Sequence, residues 1–291
     1  MAGVAAPLVT RVATPRPKRV RAAWWVVPPL LALGILVGYP LAYVVLQSTR
    51  NDDSTASVGM ANWHAALSDS TTWKSLRVSL EIAAASTIGA LVIGSFLALV
   101  LVFLPFPGAK GIVRCIEAVV CFPSFLLPLA FGVLFGSVGV LPHFIGSLTG
   151  STPAMAWITQ LPGVVLAEIA FFTPFVVRPV MAAMAEVPRD QVDVASSLGA
   201  GTWTVVWRVI LPAIRTALLA AGGLVFLLTF NELGIVLFTG AKDVQTLPLQ
   251  IYSQSVVTFH FGSAAVLACL QVVVSLFIYA TYRSLLARRS C

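Results

Sequence analysis

Residues 76–104 read LRVSLEIAAASTIGALVIGSFLALVLVFL, and no charged residue lies between Glu81 and Lys110. A helix of about 20 apolar residues is long enough to cross the roughly 30 Å hydrocarbon layer of a membrane. Inside lipid, only helices and closed barrels satisfy their backbone hydrogen bonds, and barrel strands alternate apolar with polar residues. Because this run is continuously apolar, it predicts a membrane-spanning helix.

The same pattern recurs along the chain and predicts six membrane-spanning helices. The apolar runs are about 24–47, 76–104, 112–140, 161–184, 215–238 and 262–286. Of the 291 residues, 58% are hydrophobic and 10% are charged, whereas soluble domains carry about 25% charged residues. We therefore expect an all-α fold, a polytopic membrane helical bundle, in which a basic tail, 1–23, precedes a transmembrane domain, 24–291.

Basic residues set the expected orientation, because short loops rich in Lys and Arg stay on the cytoplasmic side. They are concentrated in the tail, after the second and fourth spans, and at the C-terminus. Both termini should therefore be cytoplasmic, as an even number of spans also requires. Membrane topology accounts for the net charge of +7, so no nucleic-acid partner is expected.

No metal or cofactor site is expected from the sequence. The three histidines lie in or beside loops without acidic or cysteine partners at ligand spacing. The four cysteines form no CxxC motif and lie mostly in or beside apolar runs, which is typical of small buried thiols.

The connection between the fourth and fifth spans, 185–214, is too polar to cross the membrane and too long for a turn. Pro188 is suited to the start of a helix on which Val192, Ala195 and Leu198 make one apolar stripe. Gly199 and Gly201 then predict a corner. The apolar stripe of the helix after that corner comprises Trp203, Val206, Trp207 and Ile210. This loop should dock a cytosolic partner.

The segment DVASSLGAGTWTVVWRVILP, residues 193–212, resembles the EAA signature of integral membrane subunits of binding-protein-dependent ATP-binding-cassette importers, the MetI-like permeases. The signature reads EAA, three residues, Gly, nine residues, Ile-x-Leu-Pro. At the matching positions stand Asp193, Val194, Ala195, Gly199, Val209, Leu211 and Pro212. The spacing is kept throughout, while Asp replaces Glu, Val replaces the first Ala, and Val replaces Ile.

The resemblance implies a permease subunit in the cytoplasmic (inner) membrane with no catalysis of its own. Its partners would be a cytosolic ATPase dimer, a second copy or a homologous permease, and an external substrate-binding protein. The loop helix would be the coupling helix, seated in a groove of the ATPase. The residues assigned to coupling are Arg189, Asp190, Asp193, Val194, Ala195, Ser196, Leu198, Gly199, Ala200, Leu211 and Pro212. Because the chain lacks a Gly-Lys dipeptide, and so a phosphate loop, ATP hydrolysis is expected in a separate chain.

Polar residues inside the spans are candidates for the translocation pathway, because ionisable groups at this depth are costly. Glu168 lies in the fourth span, and Asn231, Glu232 and Gly234 lie in the fifth. Together the last three offer hydrogen-bond donors, acceptors and a close backbone approach. A helix contact or a partner-subunit hydrogen bond would explain the same residues without any substrate.

Two other classes of membrane protein remain as alternatives. A secondary transporter or a channel would work without ATP, but a transporter of that kind should show an internal repeat, and the two halves show no convincing one. A membrane enzyme is not supported, since HExxH and GxSxG are absent.

The substrate is indicated only by a second resemblance. Residues 231–252, NELGIVLFTGAKDVQTLPLQIY, are similar to permeases associated with 2-aminoethylphosphonate, polyamine, ferric iron and sulfate or molybdate uptake. Among these, an organophosphonate such as 2-aminoethylphosphonate is the preferred interpretation.

Overall fold

The computed structural model describes residues 19–50, 59–104, 106–136, 139–151, 156–241 and 243–287. Within these ranges every secondary-structure element is a helix, so the expected all-α class is confirmed. Six helical segments are long and apolar enough to cross a membrane, namely Trp24–Gln47, Ser70–Phe103, Leu126–Thr149, Leu161–Ala185, Thr202–Phe230 and Phe261–Ser284.

The α-helices in chain order are α1 (Arg19–Leu33), α2 (Tyr39–Gln47), α3 (Ala61–Ser68), α4 (Ser70–Phe103), α5 (Ala109–Val119), α6 (Leu126–Phe135), α7 (Val140–Thr149), α8 (Leu161–Ala185), α9 (Arg189–Ser197), α10 (Thr202–Val205), α11 (Leu211–Phe230), α12 (Gly234–Thr239), α13 (Leu247–Tyr252) and α14 (Phe261–Ala287). Short π-helical turns occur at Gly34–Gly38, Val206–Ile210 and Ser253–Val257, and a 3-10 turn at Ala156–Thr159.

The chain divides into two units, residues 1–46 and 47–291. In the first, α1 continues through the π-helical turn into α2. Helix α1 begins at Arg19 and so includes the last five residues of the tail predicted over 1–23, while the membrane-length segment begins at Trp24. Residues 1–18 of the predicted tail lie outside the described residues.

The core of the second unit is built by α4, α8 and α11. Helix α4 turns small side chains toward its neighbours, and Ala83, Ala90 and Ala98 are fully buried. At Gly94 an added Cβ would lie 2.8 Å from the Cβ of Val176 on α8. Lipid does not drive apolar helices together, so close packing through small residues provides the attraction.

Helix α4 starts earlier than the predicted second span, 76–104. The Asp69 carboxylate accepts a hydrogen bond from the Thr71 N–H at 2.8 Å. A carboxylate at this position caps a helix and satisfies a free N–H of its first turn. Because of this cap, the helix begins at Ser70.

The predicted third span, 112–140, is interrupted in the structure. Helix α5 ends at Val119, α6 occupies 126–135, and α7 begins at Val140. Pro123 lies in the first gap, where it lacks an N–H and disfavours helical geometry in the preceding residue. The segment apolar and long enough to cross the membrane here is therefore Leu126–Thr149.

The predicted fifth span, 215–238, is displaced toward the N-terminus. Its membrane-length segment runs from Thr202 to Phe230. The chain leaves helical geometry at Asn231 and enters the short helix α12 at Gly234. Asn231 and Glu232 therefore lie in a helix break rather than inside a continuous span.

Candidate functional site

The segment between α8 and α11 is organised by the ends of α9. Pro188 precedes the helix, where its missing N–H costs no hydrogen bond, and Asp190 lies in the first turn. At the other end Gly199 adopts φ +82°. The Gly199 N–H donates to the Ser196 carbonyl at 3.0 Å, and the N–H of the following residue donates to the Ala195 carbonyl at 3.1 Å. This pair of bonds is the Schellman termination, which favours glycine at the left-handed position.

One face of α9 packs against the core, and other apolar side chains of this segment are exposed. Val192 and Ala195 pack against the core, whereas Val194 and Leu198 are 59% and 83% exposed. Leu198, which the sequence placed in one stripe with the first two residues, does not pack against the core. The helix ends at Ser197, so the backbone turn directs Leu198 outward.

A cleft of about 850 Å³ separates α9 from the start of α11. It is lined by Asp190, Gln191, Val194, Ala195, Leu198, Arg208, Val209, Pro212, Ala213 and Arg215. Of the other residues assigned to coupling, Arg189, Asp193 and Ser196 are exposed on α9, and Ala200 and Leu211 are half-buried. The structure thus brings five of the assigned residues, Asp190, Val194, Ala195, Leu198 and Pro212, to one concave surface.

The four residues of the apolar stripe predicted after the glycine corner line one pocket of about 420 Å³. Val206 and Ile210 are buried in the core, whereas Trp203 and Trp207 are 70% and 60% exposed. The two indole rings meet edge to face with centroids 6.4 Å apart. A π-helical turn, Val206–Ile210, widens the helix here and shifts the register of the side chains.

Glu168 lies on α8 and is completely buried. Neither of its carboxylate oxygens makes a hydrogen bond of standard geometry with the described residues. The side chains of Ser86, on α4, and of Glu232 lie near enough to affect the electrostatics of this carboxyl group. A buried polar group without full hydrogen bonding is costly, so Glu168 is an exception to the apolar packing around it.

Glu232 joins the helix break to the gap between α5 and α6. Its Oε1 accepts a hydrogen bond from the Ser124 hydroxyl at 2.9 Å and another from the Ile235 N–H at 3.0 Å. At Gly234 an added Cβ would lie 2.9 Å from the Ser124 Oγ. A larger residue at this position would displace the Ser124 hydroxyl, so glycine favours this approach, and the carboxylate also caps α12.

Asn231 binds the break to the last helix, α14. Its Oδ1 accepts a hydrogen bond from the Gln271 Nε2 at 2.8 Å, and its Nδ2 donates to the Leu227 carbonyl at 2.7 Å. This side chain therefore has a structural role, as the sequence already allowed. Gln271 and Ser124 were missed by the sequence analysis because an isolated amide or hydroxyl in an apolar run gives no distinct pattern.

An ion pair connects α5 with α8. The Arg178 Nε is 3.3 Å from the Glu117 Oε1, although the sequence pairs Arg114 with Glu117 more simply, within one helix turn. The sequence also predicts a pair between Arg77 and Glu81, which are four residues apart, and in the structure the Arg77 Nε lies 2.7 Å from the Glu81 Oε1. An ion pair across two helices has no spacing rule, and the signal that could have found it is the row of charged residues Lys110, Arg114 and Glu117, which stand three or four residues apart.

No group of three or more His, Cys, Asp or Glu that could hold a metal ion is present in the part of the chain that the structure describes. Three of the cysteines, Cys115, Cys121 and Cys269, are free thiols, and the first two of them are exposed. The fourth cysteine, Cys291, lies outside the described residues.

Residues 90–290 match the family model described as binding-protein-dependent transport system inner membrane component. The chain is 39% identical over 260 residues to the putative 2-aminoethylphosphonate transport system permease protein PhnU of Salmonella typhi, covering 89% of each chain. It is 30% identical over 220 residues to the molybdenum transport system permease protein ModB of Azotobacter vinelandii, covering 72% of this chain and 92% of that one.

Two solved structures are similar in fold. A bacterial ABC transporter involved in the import of the acidic polysaccharide alginate matches with a TM-score of 0.78 and 16% identity, over 93% of this chain and 96% of that chain. The MetNI methionine ABC transporter in an inward-facing conformation matches with a TM-score of 0.57 and 16% identity, over 76% and 98%.

Proposed function

The chain belongs to the family of binding-protein-dependent transport system inner membrane components and is a multi-pass permease subunit of an ATP-binding-cassette importer, and we propose that it imports 2-aminoethylphosphonate. The observation that carries this substrate is the 39% identity, over 89% of the chain, to a permease named for the same compound. An ATP-independent transporter or channel is set aside by the family membership. The permease itself hydrolyses nothing.

The expected result of a substrate test is selective uptake. Cells that lack other phosphonate transporters and express the complete transporter should accumulate labelled 2-aminoethylphosphonate in an ATP-dependent manner. Excess unlabelled 2-aminoethylphosphonate should compete, whereas molybdate and sulfate should not. Competition by molybdate instead would assign the chain to the substrate of its more distant relative.

The proposed partners are a cytosolic ATPase dimer, a second permease copy or a homologous permease, and an external substrate-binding protein. The solved alginate transporter was also determined in complex with an alginate pentasaccharide-bound periplasmic protein, and its permease shares this fold. The ATPase is proposed to bind at the surface formed by α9 and the cleft beside it. Exposed apolar side chains such as Leu198 support this placement, because uncovered apolar surface marks a partner site.

The proposed transport pathway includes Glu168, Asn231, Glu232 and Gly234. Glu168 is buried without standard hydrogen bonds, and Glu232 lies half-buried in a helix break. A polar group inside a membrane protein marks a functional site by default. The coupling helix is proposed to act as a lever, so that closure of the ATPase dimer moves α11 and the break at its end.

The proposed topology places both termini and residues 185–214 in the cytoplasm. Alkaline phosphatase is active only outside the cytoplasm, and green fluorescent protein exported in unfolded form does not fluoresce. We therefore expect an active phosphatase when it is fused after Gly150, and fluorescence when the fluorescent protein is fused after Gly199 or at the C-terminus. The reverse pattern would contradict the distribution of basic residues from which this orientation is drawn.

A further inference from the structure

We infer that Arg178 is an anion-recognition residue of the translocation pathway, held by Glu117 in this structure and released to the phosphonate group of the substrate during transport. The inference rests on the proposed function, because the anion is that of an aminoalkylphosphonate. It adds a positively charged site to a pathway whose other proposed residues are acidic or neutral.

Arg178 lies inside the membrane-length segment Leu161–Ala185. Helix α8 contains 25 residues, and Thr173 is at its middle. With a rise of 1.5 Å per residue, Arg178 lies about 7 Å along the axis from this midpoint, well within a half-layer of about 15 Å. Helix α5 runs beside the same region, since Val119 shares a cavity with Thr173 and Pro174.

Both side chains of the pair are also partly exposed. The side chains of Arg178 and Glu117 are 57% and 40% exposed. Charged groups at this depth almost always face a bundle interior or a water-filled cavity, because hydrocarbon cannot solvate them. The exposed side of the pair is therefore the side toward the pathway.

A polar stripe on α5 contains Glu117, and α5 is followed by the loop whose Ser124 binds Glu232. Lys110, Arg114 and Glu117 stand three or four residues apart and so lie on one face of α5. Cys121 and Ser124 follow in the non-helical segment between α5 and α6. Ser124 donates its hydroxyl hydrogen bond to Glu232. The opposite face packs against the protein, as Val119 does against the core.

The stripe presents charges in an order that suits a zwitterion. At the helix break the acceptor is the Glu232 carboxylate, which attracts an ammonium group. Arg178, Arg114 and Lys110 follow along the stripe and attract a phosphonate. A guanidinium can hold an anionic oxygen group through two parallel hydrogen bonds. In the unloaded permease the Glu117 carboxylate takes the place of that anion, so the guanidinium stays positioned and paired.

The first test compares uptake of 2-aminoethylphosphonate by variants at the two partners. Loss of a hydrogen bond to a charged group should lower the rate at least about tenfold in Arg178→Ala. Arg178→Lys should recover part of it, and Glu117→Gln should stay within about threefold of the unmodified protein, because it leaves the guanidinium in place. A purely structural pair would instead lose as much uptake in Glu117→Gln as in Arg178→Ala, and that result would overturn the inference.

The matched control is the other Arg–Glu ion pair among the residues that the structure describes. Arg77 and Glu81 are bonded at 2.7 Å within one helix turn, away from the stripe. Arg77→Ala should leave uptake within about twofold, since exposed pairs of this type contribute little.

The second test does not depend on the substrate. In a chain whose four cysteines are replaced by serine, Arg178→Cys should react with a membrane-impermeant thiol reagent in inverted vesicles containing the whole transporter. Ile88→Cys, at a position of similar exposure on α4 (62%), should not react if it faces lipid. Failure of the Arg178→Cys thiol to react would overturn the pathway location. If the unmodified transporter takes up no 2-aminoethylphosphonate while this thiol does react, the substrate is wrong and the pathway site stands.

Discussion

Replacing Leu198 by glutamate is expected to remove the ATPase from the permease and to bring uptake to the level of cells without the transporter. The side chain is 83% exposed, so the folded permease does not depend on it. Burial of a leucine contributes about 1.5–3 kcal/mol, and an unpaired carboxylate in an apolar groove adds a further penalty. The combined loss corresponds to binding weaker by about a hundredfold or more.

The measurement is copurification of the ATPase with a tagged permease from detergent, together with uptake in cells. Leu198→Met should keep much of the contact, because methionine is apolar and of similar size. Copurification of the ATPase with Leu198→Glu in the normal amount would show that α9 is not the docking surface.

Gly199 and Gly201 provide a matched control in the same loop. An added Cβ would meet no atom within 4 Å at either position, but Gly199 has φ +82° whereas Gly201 has φ −67°. Alanine at Gly199 therefore costs about 1–2 kcal/mol of backbone strain, which favours a different turn and a displaced Leu198. Alanine at Gly201 fits the observed backbone, so ATPase binding should be weakened by the first substitution and unchanged by the second.

Replacing Glu232 is expected to give the second large effect. Glu232→Ala removes the acceptor for both Ser124 and the Ile235 N–H, and uptake should fall by at least about tenfold, since hydrogen bonds to charged groups contribute about 1.5–3 kcal/mol. Glu232→Gln keeps an oxygen acceptor without the charge. If the pathway requires the charge, the glutamine variant should also transport poorly while its thermal unfolding temperature stays close to that of the unmodified protein.

The control for this experiment is Asp69, another carboxylate that caps a helix. Asp69→Ala should cost about 0.5–2 kcal/mol of stability, and uptake should be retained. Normal uptake by Glu232→Ala would remove this residue from the pathway. Normal uptake by Glu232→Gln, together with loss in Glu232→Ala, would reduce its role to capping α12.

Helix α11 has irregular backbone at both of its ends. A π-helical turn, Val206–Ile210, precedes α11, and the helix break at Asn231 and Glu232 follows it. Between them α11 packs against α4 and α8. A rigid helix with irregular backbone at both ends is suited to transmit a displacement, because its ends absorb the change in dihedral angles.

The sequence by itself determined the membrane location, the helical class and the family. Long apolar runs have one stable form in lipid, a helix, because every backbone hydrogen bond must be made within the chain. The signature at 193–212 has fixed spacing and could be matched without coordinates. Its glycine, Gly199, was predicted as a corner, and its φ of +82° supplies the physical reason.

Only the tertiary structure decided which side chains meet across helices and where the spans break. The pairing of Glu117 with Arg178, and of Ser124 with Glu232, joins residues far apart in the chain, and no periodicity encodes such contacts. Pro123 could interrupt a span or merely bend it, and Leu198 could have continued the apolar stripe of α9. In each case local preference allowed two outcomes, and the backbone geometry of the folded chain selected one.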